Sequence, residues 1–291
     1  MATVTQKIRV RSKRYQRRFA NRAEQKRRVP WPESPPPQDG STAAVIVSFN
    51  TRELTRHTLH SLFSAVGPDL GSVVVVDNGS DDGSLEDLRA AAHSGALTLL
   101  ENRGLSQHGP GLNAALSYLA AVPEALDISE VWLLDSDVVI LREDVLKDAR
   151  RAMRLSGAAV VGEKRSHSDL VLLCSILLDP RRAWRADTPV FLWDGLPSDE
   201  LQEHLLQQRE RIEQFPFADG GYLIHVGAGT LRMLRERGEE VGDWSATYSG
   251  LDDGEDRYLS LLTNFRRGAG ALDATDFAEC LRELRSPGGE Q

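Results

Sequence analysis

The chain has 291 residues, 41% of them hydrophobic, and a formal net charge of −8 at pH 7. That length allows one large α/β domain or two small ones. Its two cysteines, Cys174 and Cys280, cannot form a disulfide framework, and no apolar run approaches the roughly 18 residues of a membrane span. The charged N-terminus lacks the apolar core of a secretory signal. These features predict a cytoplasmic globular protein.

The charge is unevenly distributed along the chain. Residues 1–29 carry eleven Lys/Arg and one Glu, about +10, which leaves about −18 for the remainder. Five prolines between Pro30 and Pro37 cannot form regular helix or central strand. Residues 1–40 are therefore predicted to be a flexible basic arm and linker, either a solvated tail or a contact to an anionic surface such as the inner face of a membrane.

Strands and helices alternate from residue 41 onward. Short β-branched runs predict buried strands at 43–49, 72–77, 97–102 and 131–135. Apolar stripes at helical spacing predict a helix after each of the first three strands, and Asn50 with Glu53 forms a capping box for the first. This βαβαβαβ order predicts a parallel sheet with helices on both faces.

The later half is less regular. It predicts a helix near 142–157, strands at 158–163 and 170–179, an exposed helix over 198–214, and a strand that ends in the glycine-rich turn "HVGAGT". Two further helices are predicted near 230–238 and 255–265. Residues 41–142 are expected to bind a ligand, and residues 143–291 to complete the same domain.

Polar side chains follow four consecutive predicted strands, where open parallel α/β sheets bind their ligands. The clearest case is "VWLLDSDVVIL", which places Asp135 and Asp137 inside an apolar run. Two residues apart on an extended segment, they point to the same side. Mg²⁺ and Mn²⁺ favour carboxylate ligands together with substrate phosphates. The pair is predicted to hold a metal beside a diphosphate, whereas neither GxGxxG nor GxxxxGK[ST] is present.

The ordered segments "AAVIVSFNTRELTRHTLHSL", "VVVVDNGSDDGS", "ENRGL", "GLNAAL" and "WLLDSDVVI" resemble the nucleotide-binding half of family 2 glycosyltransferases of the GT-A fold. The resemblance implies a Rossmann-like, mostly parallel sheet with a mixed acceptor-side half, a UDP-, GDP- or dTDP-sugar donor, and Mn²⁺ or Mg²⁺. By resemblance, Asp135 and Asp137 bind metal, with Asp135 also facing the donor. The other implied nucleotide-sugar contacts are Ser48, Asn50, Glu53, Asp77, Asn78, Gly79, Asn102 and Asn113.

The second half resembles the family only in outline. His225 in "HVGAGT" looks like a segment that some members place near metal and diphosphate, and a neutral imidazole can bind Mn²⁺. Inverting members use a carboxylate to deprotonate the acceptor. Asp194 matches the order of that carboxylate relative to the His segment, and Asp256 matches its local sequence. Both are catalytic candidates.

Alternative interpretations remain open. The turn residues around Asp77 and the acids at helix starts also have purely structural uses. A nucleotidyltransferase would share a related sheet, but "SFNTRE" lacks its glycine-rich signature. A non-catalytic nucleotide-sugar-binding protein is the other alternative, which the intact "DSD" disfavours. The acceptor (glycan, lipid, peptide or small natural product) is not predicted, and no nucleic acid partner is expected.

Overall fold

The computed structural model describes residues 20–35, 37, 40–102, 107–165, 168–192, 197–225, 277–279 and 281–282. The strands are β1 (Ser41–Ser48), β2 (Leu70–Asp77), β3 (Thr98–Glu101), β4 (Ile128–Asp135), β5 (Val138–Ile140), β6 (Val160–Lys164), β7 (Val171–Leu178), β8 (Ile212–Gln214) and β9 (Leu223–His225). The helices after residue 50 are α1 (Arg52–Val66), α2 (Ser84–His93), α3 (His108–Ala121), α4 (Val145–Ser156), α5 (Pro180–Ala183) and α6 (Asp199–Gln207). Residues 20–27 are also helical.

Seven strands form the central sheet, in the order β3-β2-β1-β4-β7-β6-β8. The first four are mutually parallel, as the sequence predicts. Strand β7 runs antiparallel to both β4 and β6, so the second half of the sheet is mixed. Strands β5 and β9 form a separate antiparallel pair. The mostly parallel sheet with a mixed second half is confirmed.

Buried side chains fill both faces of the central sheet. On one face, Leu59, Leu62 and Phe63 of α1 pack with residues of α2 and α4. On the other, Leu112 and Leu116 of α3 pack with residues of α5 and α6. Strands β1, β2 and β4 therefore carry apolar residues on both sides, which explains their continuous β-branched runs.

The capping box predicted at Asn50 and Glu53 is wrong. Helix α1 begins at Arg52, and the carboxylate that accepts from the Arg52 backbone N–H, at 2.8 Å, belongs to Asp82. Asn50 instead adopts a left-handed φ of 51° and accepts a hydrogen bond from the Asp81 amide. A cap supplied from a distant loop leaves no local sequence signal, so the local motif was misleading.

The exposed helix predicted over 198–214 is also wrong in extent and burial. Helix α6 ends at Gln207, Arg209 has a positive φ of 63°, and residues 212–214 form β8. Leu201, Gln202 and Leu205 are buried, because α6 packs on the sheet. Gln202 also binds both backbone groups of Val171 in β7.

The predicted flexible arm is only partly tested, because residues 1–19 lie outside the described residues. Residues 20–35 pack against the body: Trp31 is 4% exposed, and its backbone N–H donates to the Trp184 carbonyl at 2.8 Å. Proline prevents regular structure here but does not prevent packing, and a buried tryptophan stabilises such contact strongly. The predicted linker is thus part of the folded body over these residues.

Candidate active site

The carboxyl ends of β1, β2 and β4 meet at one edge of the sheet. The register places Ser48 beside Asp77, and Val47 beside Asp135. Asp77 in turn lies beside Glu101 of β3. The predicted convergence of the strand ends is therefore present, and it forms one wall of a crevice.

Asp77 is buried to 1% exposure at the end of β2. Its Oδ1 accepts from the amides of Gly79 and Ser80, each at 2.9 Å. Its Oδ2 is buried and has no hydrogen-bond partner among the described residues. A buried acceptor without a partner is costly, so this oxygen is suited to a ligand that brings an N–H or O–H donor.

The amide residues predicted around Asp77 bond mainly to one another. Asn102 donates from Nδ2 to Oδ1 of Asn78 at 2.9 Å, and Asn78 donates to the Gln107 carbonyl at 3.0 Å. Gly79 has a φ of 89° and open space where a Cβ would lie. Asn78 and Asn102 therefore link the ends of β2 and β3 to the start of α3, and Gly79 leaves room beside them.

Ser48, Glu53 and Asn113 do not present free groups to this crevice. The buried Ser48 hydroxyl lies 3.0 Å from Oγ1 of Thr55. The Glu53 side chain is 59% exposed on the first turn of α1, 3.9 Å from Arg56. Asn113 is buried and uses its amide on the backbone of Phe191. Structural partners thus account for the polar groups of Ser48 and Asn113.

The turn that carries both aspartates is held by hydroxyl groups of α1. Thr51 Oγ1 lies 3.0 Å from both Thr55 Oγ1 and Ser136 Oγ, and Thr58 donates to the Ser136 carbonyl at 2.8 Å. Together with Ser48, these groups form a chain of hydroxyl contacts from β1 to Ser136. A single sequence does not reveal it, because Thr and Ser on a helix face have many uses.

Asp135, Asp137 and His225 converge on one point. The Nε2 atom of His225 lies 3.3 Å from Oδ2 of Asp135 and 3.2 Å from Oδ1 of Asp137. One potential ligand atom from each of the three lies within 4.8 Å of the others. The β5–β9 pair explains the meeting, because Val138 pairs with His225. The sequence prediction that these residues lie together is correct.

Electrostatics at this point favour a positive charge. Burial lowers the pKa of His225, but the charge of Asp137 and hydrogen bonds to both aspartates outweigh burial and raise that pKa well above 6.5. The buried Oδ1 of Asp135 has no hydrogen-bond partner among the described residues. Two carboxylates and an imidazole match the donors that Mn²⁺ accepts, so the group fits a divalent cation.

Two further residues near the crevice were not predicted. His108, at the start of α3, places Nε2 3.5 Å from Oδ1 of Asp135. Phe49 follows β1 and is 43% exposed. An exposed aromatic ring after a strand of buried residues is a usable signal, whereas His108 gives none without the fold. Asp194 and Asp256 lie outside the described residues, as does the glycine turn after His225.

Comparison with known proteins agrees with this geometry. The profile of glycosyl transferase family 2 matches residues 43–235, and the chain belongs to that family. It is therefore a glycosyltransferase of the GT-A fold. No curated protein matches the sequence.

Solved structures support the fold. The mannosyltransferase PcManGT from Pyrobaculum calidifontis, in complex with GDP-Man and Mn²⁺, is 15% identical, with a TM-score of 0.52 over 95% of this chain and 96% of that one. Glucosyl-3-phosphoglycerate synthase from Mycobacterium tuberculosis, in complex with Mg²⁺ and UDP, is 14% identical, with a TM-score of 0.46 over 70% and 81%. S. aureus TarS residues 1–349 in complex with UDP is 18% identical, with a TM-score of 0.43 over 60% and 58%.

Proposed function

We propose that the chain transfers a sugar from a nucleoside-diphosphate sugar to an acceptor hydroxyl, with inversion at the anomeric carbon and with Mn²⁺ or Mg²⁺ bound. The observation that carries the proposal is the meeting of Asp135, Asp137 and His225 within 4.8 Å beside the strand-end crevice. Family membership supports it, as does the unsatisfied buried oxygen of Asp77. The donor is a UDP-, GDP- or dTDP-sugar.

Asp137, Asp135 and His225 would hold the cation. When bound, a divalent cation offsets the charge that develops on the departing diphosphate. Oδ2 of Asp77 would accept a hydrogen bond from the nucleoside, and exposed Phe49 could contribute a stacking surface. Residues 41–142 form the nucleotide-sugar half in this assignment, and residues 143–291 the acceptor half of the same domain.

Inversion requires a single displacement. The acceptor oxygen forms a bond to the anomeric carbon while the bond from that carbon to the diphosphate oxygen breaks. The acceptor proton passes to a carboxylate. Asp194 is the first candidate for that base because it precedes His225 in the family order, and Asp256 is the second.

The acceptor is an unidentified glycan, lipid, peptide or small natural product. Residues 1–19 carry seven Lys/Arg and no acidic residue, a charge pattern that suits an anionic membrane surface. Among the described residues, no helix is long and apolar enough to cross a bilayer. A peripheral position at the inner face of the membrane is therefore part of the proposal.

The test is hydrolysis of a panel of UDP-, GDP- and dTDP-sugars by the purified chain, with Mn²⁺ and then with EDTA. We expect slow release of the matching nucleoside diphosphate, with water as acceptor, only when Mn²⁺ is present. Binding of nucleotide sugars with no turnover under any condition would support the non-catalytic alternative. Release of pyrophosphate from a nucleoside triphosphate plus sugar phosphate would identify a nucleotidyltransferase instead.

A further inference from the structure

Residues 188–191 obtain backbone hydrogen bonds from side chains instead of from a neighbouring strand. Gln25 donates from Nε2 to the Thr188 carbonyl and accepts from the Val190 amide, each at 3.2 Å. Asn113 accepts from the Phe191 amide at 2.8 Å and donates to the Phe191 carbonyl at 3.0 Å. Two amide side chains thus take the place of two strand edges, and they hold this segment between residues 20–27 and α3.

Arg28 reinforces the same attachment. Its guanidinium donates to the carbonyl and, at 2.5 Å, to Oγ1 of Thr188, and Cζ lies 4.4 Å from the Trp184 ring centroid. Burial lowers the pKa of Arg28 to about 10. Trp184 also donates from Nε1 to the Val29 carbonyl at 2.9 Å. A buried cation with these partners fixes its neighbours, since displacing it would leave unpaired polar groups.

The held segment contacts the start of α3. A Cβ placed on Gly109 would lie 1.8 Å from the carbonyl oxygen of Leu192, so the two backbones touch where no side chain fits. His108, the residue before Gly109, is the one that lies 3.5 Å from Asp135. The contacts therefore run without a break from Gln25 and Arg28, through residues 188–192, to the first turn of α3 beside the metal-binding group.

We infer that Gln25 and Arg28 are positioning residues of the transferase. They fix residues 188–192 against α3 and so set the wall of the crevice on the acceptor side. The inference rests on the proposed function. The contacts of Gln25 and Arg28 do not touch the nucleotide or the metal-binding group, so their loss should lower turnover and leave metal and nucleotide affinity intact.

The test compares Gln25→Met and Arg28→Met, which keep much of the apolar stem, with Lys26→Ala, an exposed change on the same helical segment. Amide hydrogen exchange in the full chain reports the position of the segment directly. We expect Val190 to exchange about tenfold faster in Gln25→Met, the effect of losing about one hydrogen bond, and to be unchanged in Lys26→Ala. Hydrolysis of the nucleotide sugar that the parent accepts should fall by about 10- to 100-fold in Gln25→Met and Arg28→Met.

Mn²⁺ and nucleoside diphosphate affinities, measured by calorimetry, should stay within about twofold of the parent. Unchanged exchange at Val190 would overturn the inference, and so would a loss of turnover matched by a loss of folded protein. If the parent hydrolyses no nucleotide sugar, the proposed function fails separately, and faster exchange confined to residues 188–192 would still show that Gln25 holds the segment.

Discussion

Nε2 of His225 lies 3.2 Å from Oδ1 of Asp137, although the two residues belong to different halves of the chain. Pairing of β5 with β9 produces this contact, because it aligns Val138 with His225. In the absence of metal, the imidazole holds a positive charge between two carboxylates, where a divalent cation would lie. The two halves therefore share one electrostatic centre.

Replacing Asp137 with Asn should abolish Mn²⁺ binding while the chain stays folded. The change removes one of two carboxylates, and the amide oxygen that remains is a weaker ligand for a hard cation. Calorimetric titration with Mn²⁺ measures the effect, and Asp69→Asn, an exposed site at the start of β2, is the matched control. Parental affinity for Mn²⁺ in Asp137→Asn would rule out the metal site.

The metal-free protein should lose stability as pH rises above about 6.5. The pKa of His225 is raised in the folded state, so its charged form stabilises folding fully below the unfolded value of 6.5, and this contribution disappears as pH rises through the folded pKa. Urea unfolding at several pH values, in EDTA, measures the slope. His225→Asn should flatten it, and an identical slope in that variant would assign the effect to another group.

The base should be separable from donor and metal binding. A true base replaced by Asn should retain nucleotide and Mn²⁺ affinity but lose about 10²- to 10⁴-fold in transfer rate. Turnover of Asp194→Asn and Asp256→Asn decides between the two, and we expect the larger loss for Asp194→Asn. Parental rates in both variants would place the base elsewhere.

Truncations should divide the N-terminal region in two. Deleting residues 1–19 should leave hydrolysis of nucleotide sugar unchanged and reduce binding to anionic vesicles. Deleting residues 1–31 should destabilise the fold by several kcal/mol, because it removes buried Trp31, and truncating a buried aromatic side chain alone costs about 3–5 kcal/mol. Thermal denaturation of both truncations measures the difference, and equal melting temperatures would show that Trp31 contributes nothing.

Thr55→Val should cost about 1–3 kcal/mol, although the two side chains have nearly the same shape. The change leaves the buried Ser48 hydroxyl without its partner and breaks the hydroxyl contacts that reach Ser136. Denaturant unfolding checks the cost. Thr98→Val, half-buried on β3 outside this chain of contacts, is the control and should change stability little.

The sequence was most informative where physical constraints are local. Buried parallel strands need apolar residues on both faces, which made β1, β2 and β4 readable, and charged residues inside an apolar run exposed Asp135 and Asp137. It was misleading where the partner is distant. Asp82 caps α1 from another loop, and Gln25 bonds residues far away in the chain. Such pairings depend on the assembled fold, so neither helix capping rules nor proline content could reveal them.

Strand β7 lies between β4, the strand that ends in Asp135, and β6, the first strand after α4. Both of its edges are occupied, and one of them completes the pairing of the nucleotide half. Cutting the chain after residue 142 would thus leave β4 with an open edge as well as without His225. An open edge invites pairing with other chains. Swapping acceptor halves between such enzymes to change specificity should therefore succeed only with junctions that carry β7 along with β4, and simpler junctions should yield aggregates.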